Sequence, residues 1–280
     1  MDNTIYKNRR NNLEKSLPKD SVLLIPGADT QFRNADSAYA FRQDSSFYYF
    51  SGFCEPSSLI AIVNNKDGIS SIAFVQPKDK LKEIWDGNRA GPIGAVDEFL
   101  FDKAYDNTQI DTIMPDILNG SSQVLYPIGK KSGFDQKVID WTTEASSKDR
   151  HSKSINIIDA SSLIGNARLI KDEHEIKLIR KACDISAEAH IEAMKSVKNI
   201  DSEQEMEGIY INEFLKRGSR FQAYTPIVAG GENACILHYV ENNQKLQKSD
   251  LLLVDAGCEY EMYASDITRT FPISGKFSEE

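Results

Sequence analysis

The run LLLVDAGCEYEMYASDITRTFP, residues 251–272, constrains the fold of this 280-residue chain most strongly. Residues 251–254 predict a buried strand that ends at Asp255, and Asp266 lies on the next strand after a tight connection. Adjacent antiparallel strands can hold two carboxylates side by side on one face. Hard divalent cations bind oxygen ligands, and a two-metal hydrolase needs carboxylates that bridge or chelate ions about 4 Å apart. The run therefore predicts an antiparallel sheet that carries a candidate metal pair.

Two other interpretations of this pair remain open from the residues alone. An aspartate in Asp-Ala-Gly at the end of a strand often does no more than cap a turn. Arg269 could also balance the two carboxylates in place of a metal ion. Against both, carboxylates beside apolar strand residues are costly to bury without a cation or hydrogen bonds, and this favours a site.

Two helices with strong start signals precede this sheet. Asp172 and Glu175 predict a capping box at the start of the first helix, and Ser202 and Glu205 predict another at the second, which ends near Gly218. The expected apolar face of the first helix consists of Ile176, Ile179, Cys183, Ala187, His190 and Met194. Beyond Gly218 the pattern predicts an antiparallel meander with strands at 221–231, 235–240, 251–257 and 262–273.

The first half of the chain mixes helices and strands. Helices are predicted at residues 6–17, 108–118 and 134–145, and strands at 21–27 and 123–129. The runs SLIAIVNNKDG and ISSIAFVQP predict a hairpin with an Asp-Gly turn. A domain boundary is expected between about Leu163 and Lys171, which gives domains at 1–168 and 169–280.

Composition limits the partners and the compartment. The chain has 42 acidic against 33 basic residues, and a net charge of -9 disfavours binding to nucleic acid or to anionic lipid. A polar N-terminus and the absence of any long apolar run predict a cytoplasmic protein without membrane segments. Four cysteines at wide spacings indicate neither a disulfide framework nor a zinc ribbon.

The segments YTPIVAGGENACILHYVENN and LLLVDAGCEYEMYASDITRTFPISGKF resemble the catalytic half of aminopeptidase P, the Xaa-Pro aminopeptidase of the prolidase, creatinase and methionine aminopeptidase group. FRQDSSFYYFSGFCEPSSLIAIV and EIWDGNR resemble the N-terminal domain of the same family. The resemblance implies an α+β protein, with a creatinase/aminopeptidase P-type α/β domain followed by the first half of a pita-bread fold.

The resemblance also implies roles for single residues. Asp255 and Asp266 match the first two metal ligands of the family, and His238 matches a catalytic histidine beside the metals. Tyr224 matches a tyrosine that lines the pocket. On their own, a histidine or a tyrosine on a strand is more often a packing residue.

Two further residues are matched in the N-terminal domain. Asp36 and Trp85 correspond to positions that approach the active site in bacterial enzymes, the tryptophan from a neighbouring subunit. Both are therefore expected to contact substrate, and a homo-oligomer is expected. Taken alone, Trp85 indicates only packing.

The implied chemistry is hydrolysis of peptides with proline at the second position. Two metal ions, usually manganese, share a water or hydroxide that attacks the carbonyl of the bond before proline. The residues leave manganese, cobalt and zinc open, because all three occupy carboxylate-rich sites. The family's other three ligands, a histidine and two glutamates, would lie beyond residue 280, and FSEE at residues 277–280 has the pattern of a helix start. A truncated chain that is inactive alone is expected.

Two other functions remain open. A prolidase-type dipeptidase would share both aspartates, and a pita-bread module without activity would bind peptides only. Keeping two uncompensated acids together argues against the binding module. His151, His174 and His190 show no partner in the sequence that would make them metal ligands.

Overall fold

The computed structural model describes residues 3–148 and 154–279, so that His151 and Glu280 lie outside the described residues. The chain divides into two units, Met1–Ile170 and Lys171–Glu280. Within the described ranges, no helix is both long enough and apolar enough to cross a membrane.

A six-stranded mixed sheet is the centre of the first unit, with the strand order β6-β5-β4-β1-β7-β8. Its strands are β1 (Ser21–Pro26), β4 (Leu59–Asn65), β5 (Gly68–Val75), β6 (Lys103–Asp106), β7 (Gln123–Tyr126) and β8 (Asn156–Asp159). A separate short hairpin consists of β2 (Phe32–Asn34) and β3 (Ser37–Ala38). The predicted hairpin is confirmed, because β4 and β5 pair antiparallel in register from Leu59 to Asn65.

Helices cover both faces of this sheet. The helices of the first unit are α1 (Thr4–Asn12), α2 (Ser45–Ser51), α3 (Lys80–Asp86), α4 (Gly91–Asp97), α5 (Ile110–Leu118), α6 (Ser132–Ser147) and α7 (Ser161–Leu169). Of these, α3 has no buried residue and is not part of the cover. Side chains of β1 alternate between two cores, with Leu23 and Ile25 in one and Val22 and Leu24 in the other. A strand that is buried on both faces explains why its sequence is continuously apolar.

The second unit begins with the two predicted helices, α8 (Glu173–Ser196) and α9 (Glu203–Lys216). Asp172 and Glu175 form the complete capping box. At α9 only half of the predicted box is present: the Ser202 hydroxyl accepts from the Glu205 N–H, while the Glu205 carboxylate bonds the N–H of Asp201 instead.

The apolar face predicted for α8 is only partly right: His190 is buried and Ile179 and Cys183 are half-buried. The buried residues of this helix are Glu175, Leu178, Ala182, Ile185, Ser186, Ala189, His190 and Ala193, whereas Ile176 and Met194 are exposed. Three alanines on the buried face leave room for the strands to lie close to the helix. Small residues therefore define this interface, and a search for large apolar residues misses it.

The strands of the second unit form two three-stranded sheets, β10-β11-β14 and β13-β12-β9. They are β9 (Phe221–Gln222), β10 (Ile227–Gly230), β11 (Leu251–Ala256), β12 (Cys258–Tyr260), β13 (Tyr263–Ala264) and β14 (Ile267–Pro272). The strand predicted at 235–240 is wrong. A 3-10 helix spans Gly231–Cys235, and residues 236–240 have no regular structure, because their segment bonds α9 through side chains.

Candidate metal and peptide site

The two aspartates lie on the same face of the β10-β11-β14 sheet. Asp255 pairs with Thr268 across the antiparallel β11 and β14, and Asp266 lies two residues before Thr268. Side chains alternate along a strand, so Asp255 and Asp266 share the face opposite the one that packs on α8 and α9. The predicted strand position of Asp255 is confirmed, whereas Asp266 lies on no strand, in the link between β13 and β14 immediately before Ile267.

Arg269 does not balance these carboxylates. It pairs with Val254, which is buried in the core with α8 and α9, so it belongs to the opposite face from Asp255. Its guanidinium donates to the carbonyl of Thr268 at 2.7 Å. Among the described residues, neither aspartate has an ion pair with a lysine or an arginine. This removes one of the two alternatives that the sequence left open.

A single phenol hydroxyl contacts both carboxylates. Tyr224 donates to Oδ1 of Asp255 in a short hydrogen bond, and its hydroxyl lies 3.1 Å from Oδ1 of Asp266. Asp255 therefore bonds a side chain 31 positions away and does not cap the turn that follows it. Burial raises the pKa of the Tyr224 hydroxyl, and the two carboxylates raise it further. The hydroxyl stays protonated, but its one proton serves only one carboxylate at a time.

The residues on either side of Asp266 are held by α8. The hydroxyl of Ser265 lies 2.7 Å from that of Ser186, and the carbonyl of Ile267 accepts from Nε2 of His190 at 3.0 Å. Ser186 and His190 are one helical turn apart, so one face of α8 fixes both neighbours of Asp266. No partner of His190 was predicted from the sequence, and in the structure it bonds the backbone carbonyl of Ile267.

The tautomer of His190 follows from its contacts. A carbonyl only accepts, so Nε2 carries the proton and Nδ1 accepts from the hydroxyl of Tyr210 at 2.8 Å. Burial lowers the pKa of His190, which favours the neutral ring that this arrangement requires.

A cavity of about 340 Å³ opens beside the two aspartates. Its lining residues are Tyr224, Thr225, Ile227, His238, Val240, Asp255 and Asp266. Four residues predicted from the sequence thus meet at one cavity, although His238 lies on an irregular segment and not on a strand. Thr225, Ile227 and Val240 were not predicted, and their only signal was that each lies close in sequence to a predicted residue.

The other two predicted residues lie in the first unit. Asp36 is exposed in the turn between β2 and β3. Trp85 is on α3 with 87% of its surface exposed. The cavity is lined by residues of the second unit alone, so the contacts expected for Asp36 and Trp85 stay predictions.

The aspartate pair fits part of a divalent metal site. Carboxylate oxygens are hard ligands, and two of them converge on one hydroxyl without a balancing lysine or arginine in the described residues. Across residues 3–148 and 154–279, no group of three or more His, Cys, Asp or Glu residues could hold a metal ion. The pair would supply two ligands, and the described residues provide no third one of these types beside it.

Two family models cover most of the chain. The model of the aminopeptidase P N-terminal domain matches residues 6–126, and that of metallopeptidase family M24 matches residues 177–280. The Xaa-Pro aminopeptidase of Haemophilus influenzae is 38% identical over 274 residues, which are 98% of this chain and 62% of that protein. This chain belongs to the aminopeptidase P branch of metallopeptidase family M24.

Solved structures of aminopeptidase P share the fold. Aminopeptidase PepP of Pseudomonas aeruginosa superposes with a TM-score of 0.94 at 37% identity, over 100% of this chain and 64% of that one. Escherichia coli aminopeptidase P with the inhibitor Pro-Leu gives a TM-score of 0.94 at 35% identity, over 100% and 64%. The expected fold class is confirmed: an aminopeptidase P N-terminal domain precedes an M24 domain. The chain spans less than two thirds of the length of these relatives.

Proposed function

We propose that this chain is part of a metal-dependent Xaa-Pro aminopeptidase, which hydrolyses the bond between an N-terminal residue and a following proline. The observation that carries the proposal is the convergence of Asp255 and Asp266 on one hydroxyl at the wall of a cavity. The match to a metallopeptidase family supports a role for this pair in binding metal ions. The Pro-Leu inhibitor of the E. coli relative supports a site that accepts proline peptides.

Each residue of the cavity has a proposed task. Asp255 and Asp266 would hold the divalent ions, whose chemistry would be to lower the pKa of a water molecule and to polarise the scissile carbonyl. Tyr224 donates to Asp255 and so orients the carboxylate that would hold a metal ion. His238 is exposed at the cavity, where its imidazole can donate to the peptide or to the oxyanion of the tetrahedral intermediate.

Manganese is the proposed metal. Oxygen donors suit magnesium, calcium and manganese, and metal availability in the cell decides much of the outcome. Since two carboxylates do not complete a two-metal site, we expect the 280-residue chain by itself to be inactive.

A homo-oligomer is part of the proposal. Leu81, Ile84 and Trp85 on α3 are all at least 75% exposed, and none of the residues of this helix is buried. An apolar helix face of this kind is typical of a protein interface. Asp36 as a substrate contact and the cytoplasmic location stay predictions.

The test is hydrolysis by the complete gene product. With Mn²⁺ present, the protein should release the first residue of a Xaa-Pro-Yaa tripeptide, and the variant Asp266→Asn should not. Asp184→Asn, which removes an exposed carboxylate from α8, is the matched control and should keep the activity. Cleavage of Xaa-Pro dipeptides only would establish a prolidase-type dipeptidase. Peptide binding without hydrolysis at any metal concentration would establish a binding module.

A further inference from the structure

Glu203, the first residue of α9, is fully buried and yet has no ion pair with a lysine or an arginine among the described residues. A buried carboxylate is costly unless hydrogen bonds replace its hydration. Its oxygens accept four hydrogen bonds. Oε1 accepts from the N–H of Gly230 and the amide of Asn233, both at 2.9 Å. Oε2 accepts from the hydroxyl of Tyr239 at 2.8 Å and from the N–H of Gln244 at 3.0 Å.

All four donors lie in the segment 230–244, which carries His238. Asn233 is five residues before His238, and Tyr239 directly follows it. The N–H of Glu203 also donates to the carbonyl of Gln244 at 3.0 Å. One side chain therefore fixes the segment at its beginning, beside the histidine and at its end.

Burial of apolar side chains contributes little to holding residues 236–240 in place. Residues 236–240 belong to no strand, and Ile236 and Leu237 are exposed, Leu237 to 90%. Tyr239 is the one buried side chain among residues 236–240. The segment depends on polar anchors more than on burial of apolar surface.

A second anchor acts at the end of the segment. Asn242 is buried in a left-handed conformation with φ of 47°. Its Oδ1 accepts from the N–H of Val228 at 3.0 Å, and its amide donates to Pro226 and Glu207. These contacts fix residue 242, whereas the carboxylate of Glu203 accepts a hydrogen bond from Tyr239, the neighbour of His238.

We propose that Glu203 is a positioning residue for His238, which acts by holding the segment 230–244 against the start of α9. The role of His238 rests on the function proposed above, whereas the anchoring of the segment does not. A carboxylate is needed because four donors require four lone pairs. A glutamine would turn an NH₂ group toward two of these donors and leave a buried N–H without an acceptor.

The first test is amide hydrogen exchange of the complete gene product. Glu203→Gln should speed exchange across residues 231–244 by about tenfold or more, because a buried donor loses its acceptor. Exchange in α8, β11 and β14 should stay as in the wild type. The matched control is Glu213→Gln on the same helix, whose carboxylate is also buried but pairs with Lys216 and Arg217. Wild-type exchange of the segment in Glu203→Gln would overturn the proposal.

Tyr239→Phe provides a second variant if Glu203→Gln does not fold. It removes one of the four donors, keeps the ring in the core, and should speed exchange of the same segment by a smaller factor. An equal rise in exchange across residues 231–244 and across α8, β11 and β14 would indicate general destabilisation and contradict the proposal.

A double-mutant cycle tests whether Glu203 acts through His238. Glu203→Gln should lower kcat on a Xaa-Pro-Yaa peptide in the wild type but cause no further loss in the His238→Ala background. Additive losses would overturn the proposed route. If the wild type cleaves no peptide, the proposed function fails, and the exchange measurement still decides whether Glu203 anchors the segment.

Discussion

Gly257 and Ser265 approach so closely that a Cβ atom on Gly257 would lie 1.9 Å from the carbonyl oxygen of Ser265. The obstacle is backbone, which cannot rotate away as a flexible side chain can. The contact joins the residue two positions after Asp255 to the residue directly before Asp266. The glycine of Asp-Ala-Gly is therefore what allows the two aspartates to share one site.

Substituting Gly257 should consequently damage both the fold and the site. Gly257→Ala is expected to lower the free energy of unfolding by about 3 kcal/mol or more, as an overpacked core does. Urea unfolding measures the change. Gly208→Ala is the matched control, because nothing lies within 4 Å of its added Cβ on α9. The control should gain about 0.5–1 kcal/mol from helix propensity. Equal stability of the two variants would contradict the close approach.

The sequence predicts the aspartate pair well because its causes are local. The alternation of side chains along 251–256 and a short connection to 266 suffice to place both carboxylates on one face. The turn at Glu261 and Met262, where both residues have positive φ, closes the β12-β13 hairpin and is equally local.

Other features depend on contacts between residues far apart in sequence. Tyr224 reaches Asp255 across 31 positions, and Glu203 reaches Tyr239 across 36. The pattern of apolar residues at 235–240 contains no information about the distant Glu203, which binds this segment. The pattern alone therefore wrongly predicts a strand. The face of α8 was missed for a related reason, since its alanines become an interface only when the strands lie against them.

His190 should make stability depend on pH in a defined window. Burial lowers its pKa in the folded protein, so the unfolded chain binds more protons just below the ordinary histidine pKa of 6.5. The stability from neutral His190 is present above pH 6.5 and is lost as the pH falls below it. Unfolding free energies measured between pH 7.5 and about 5.5 should show this decline, and the slope should be smaller in His190→Phe. An unchanged slope in the variant would refute the assignment.

Metal binding should stabilise the complete gene product through the aspartate pair. Mn²⁺ in large excess over its dissociation constant should raise Tm, because it binds the folded protein only. Asp255→Asn should abolish most of the increase, whereas Asp184→Asn on the surface of α8 should retain it. If Mn²⁺ raises the Tm of Asp255→Asn as much as that of the wild type, the metal binds at other residues.

Trp85 should contribute to self-association. Trp85→Glu puts a charge on the exposed apolar face of α3 and is expected to lower the mass measured by analytical ultracentrifugation. Lys82→Glu changes the charge of an exposed residue on the same helix and serves as the control. If Trp85→Glu and the wild type have the same mass, α3 is not the interface.

The position of the metal tests the central claim most directly. Crystals of the complete gene product grown with Mn²⁺ should be measured at the manganese absorption edge, where anomalous scattering locates the ions. The account predicts anomalous peaks within coordination distance of the carboxylates of both Asp255 and Asp266, at the cavity that Tyr224 and His238 line. Anomalous peaks at other residues only, or no peak beside Asp255 and Asp266 at saturating Mn²⁺, would contradict the proposed metal site.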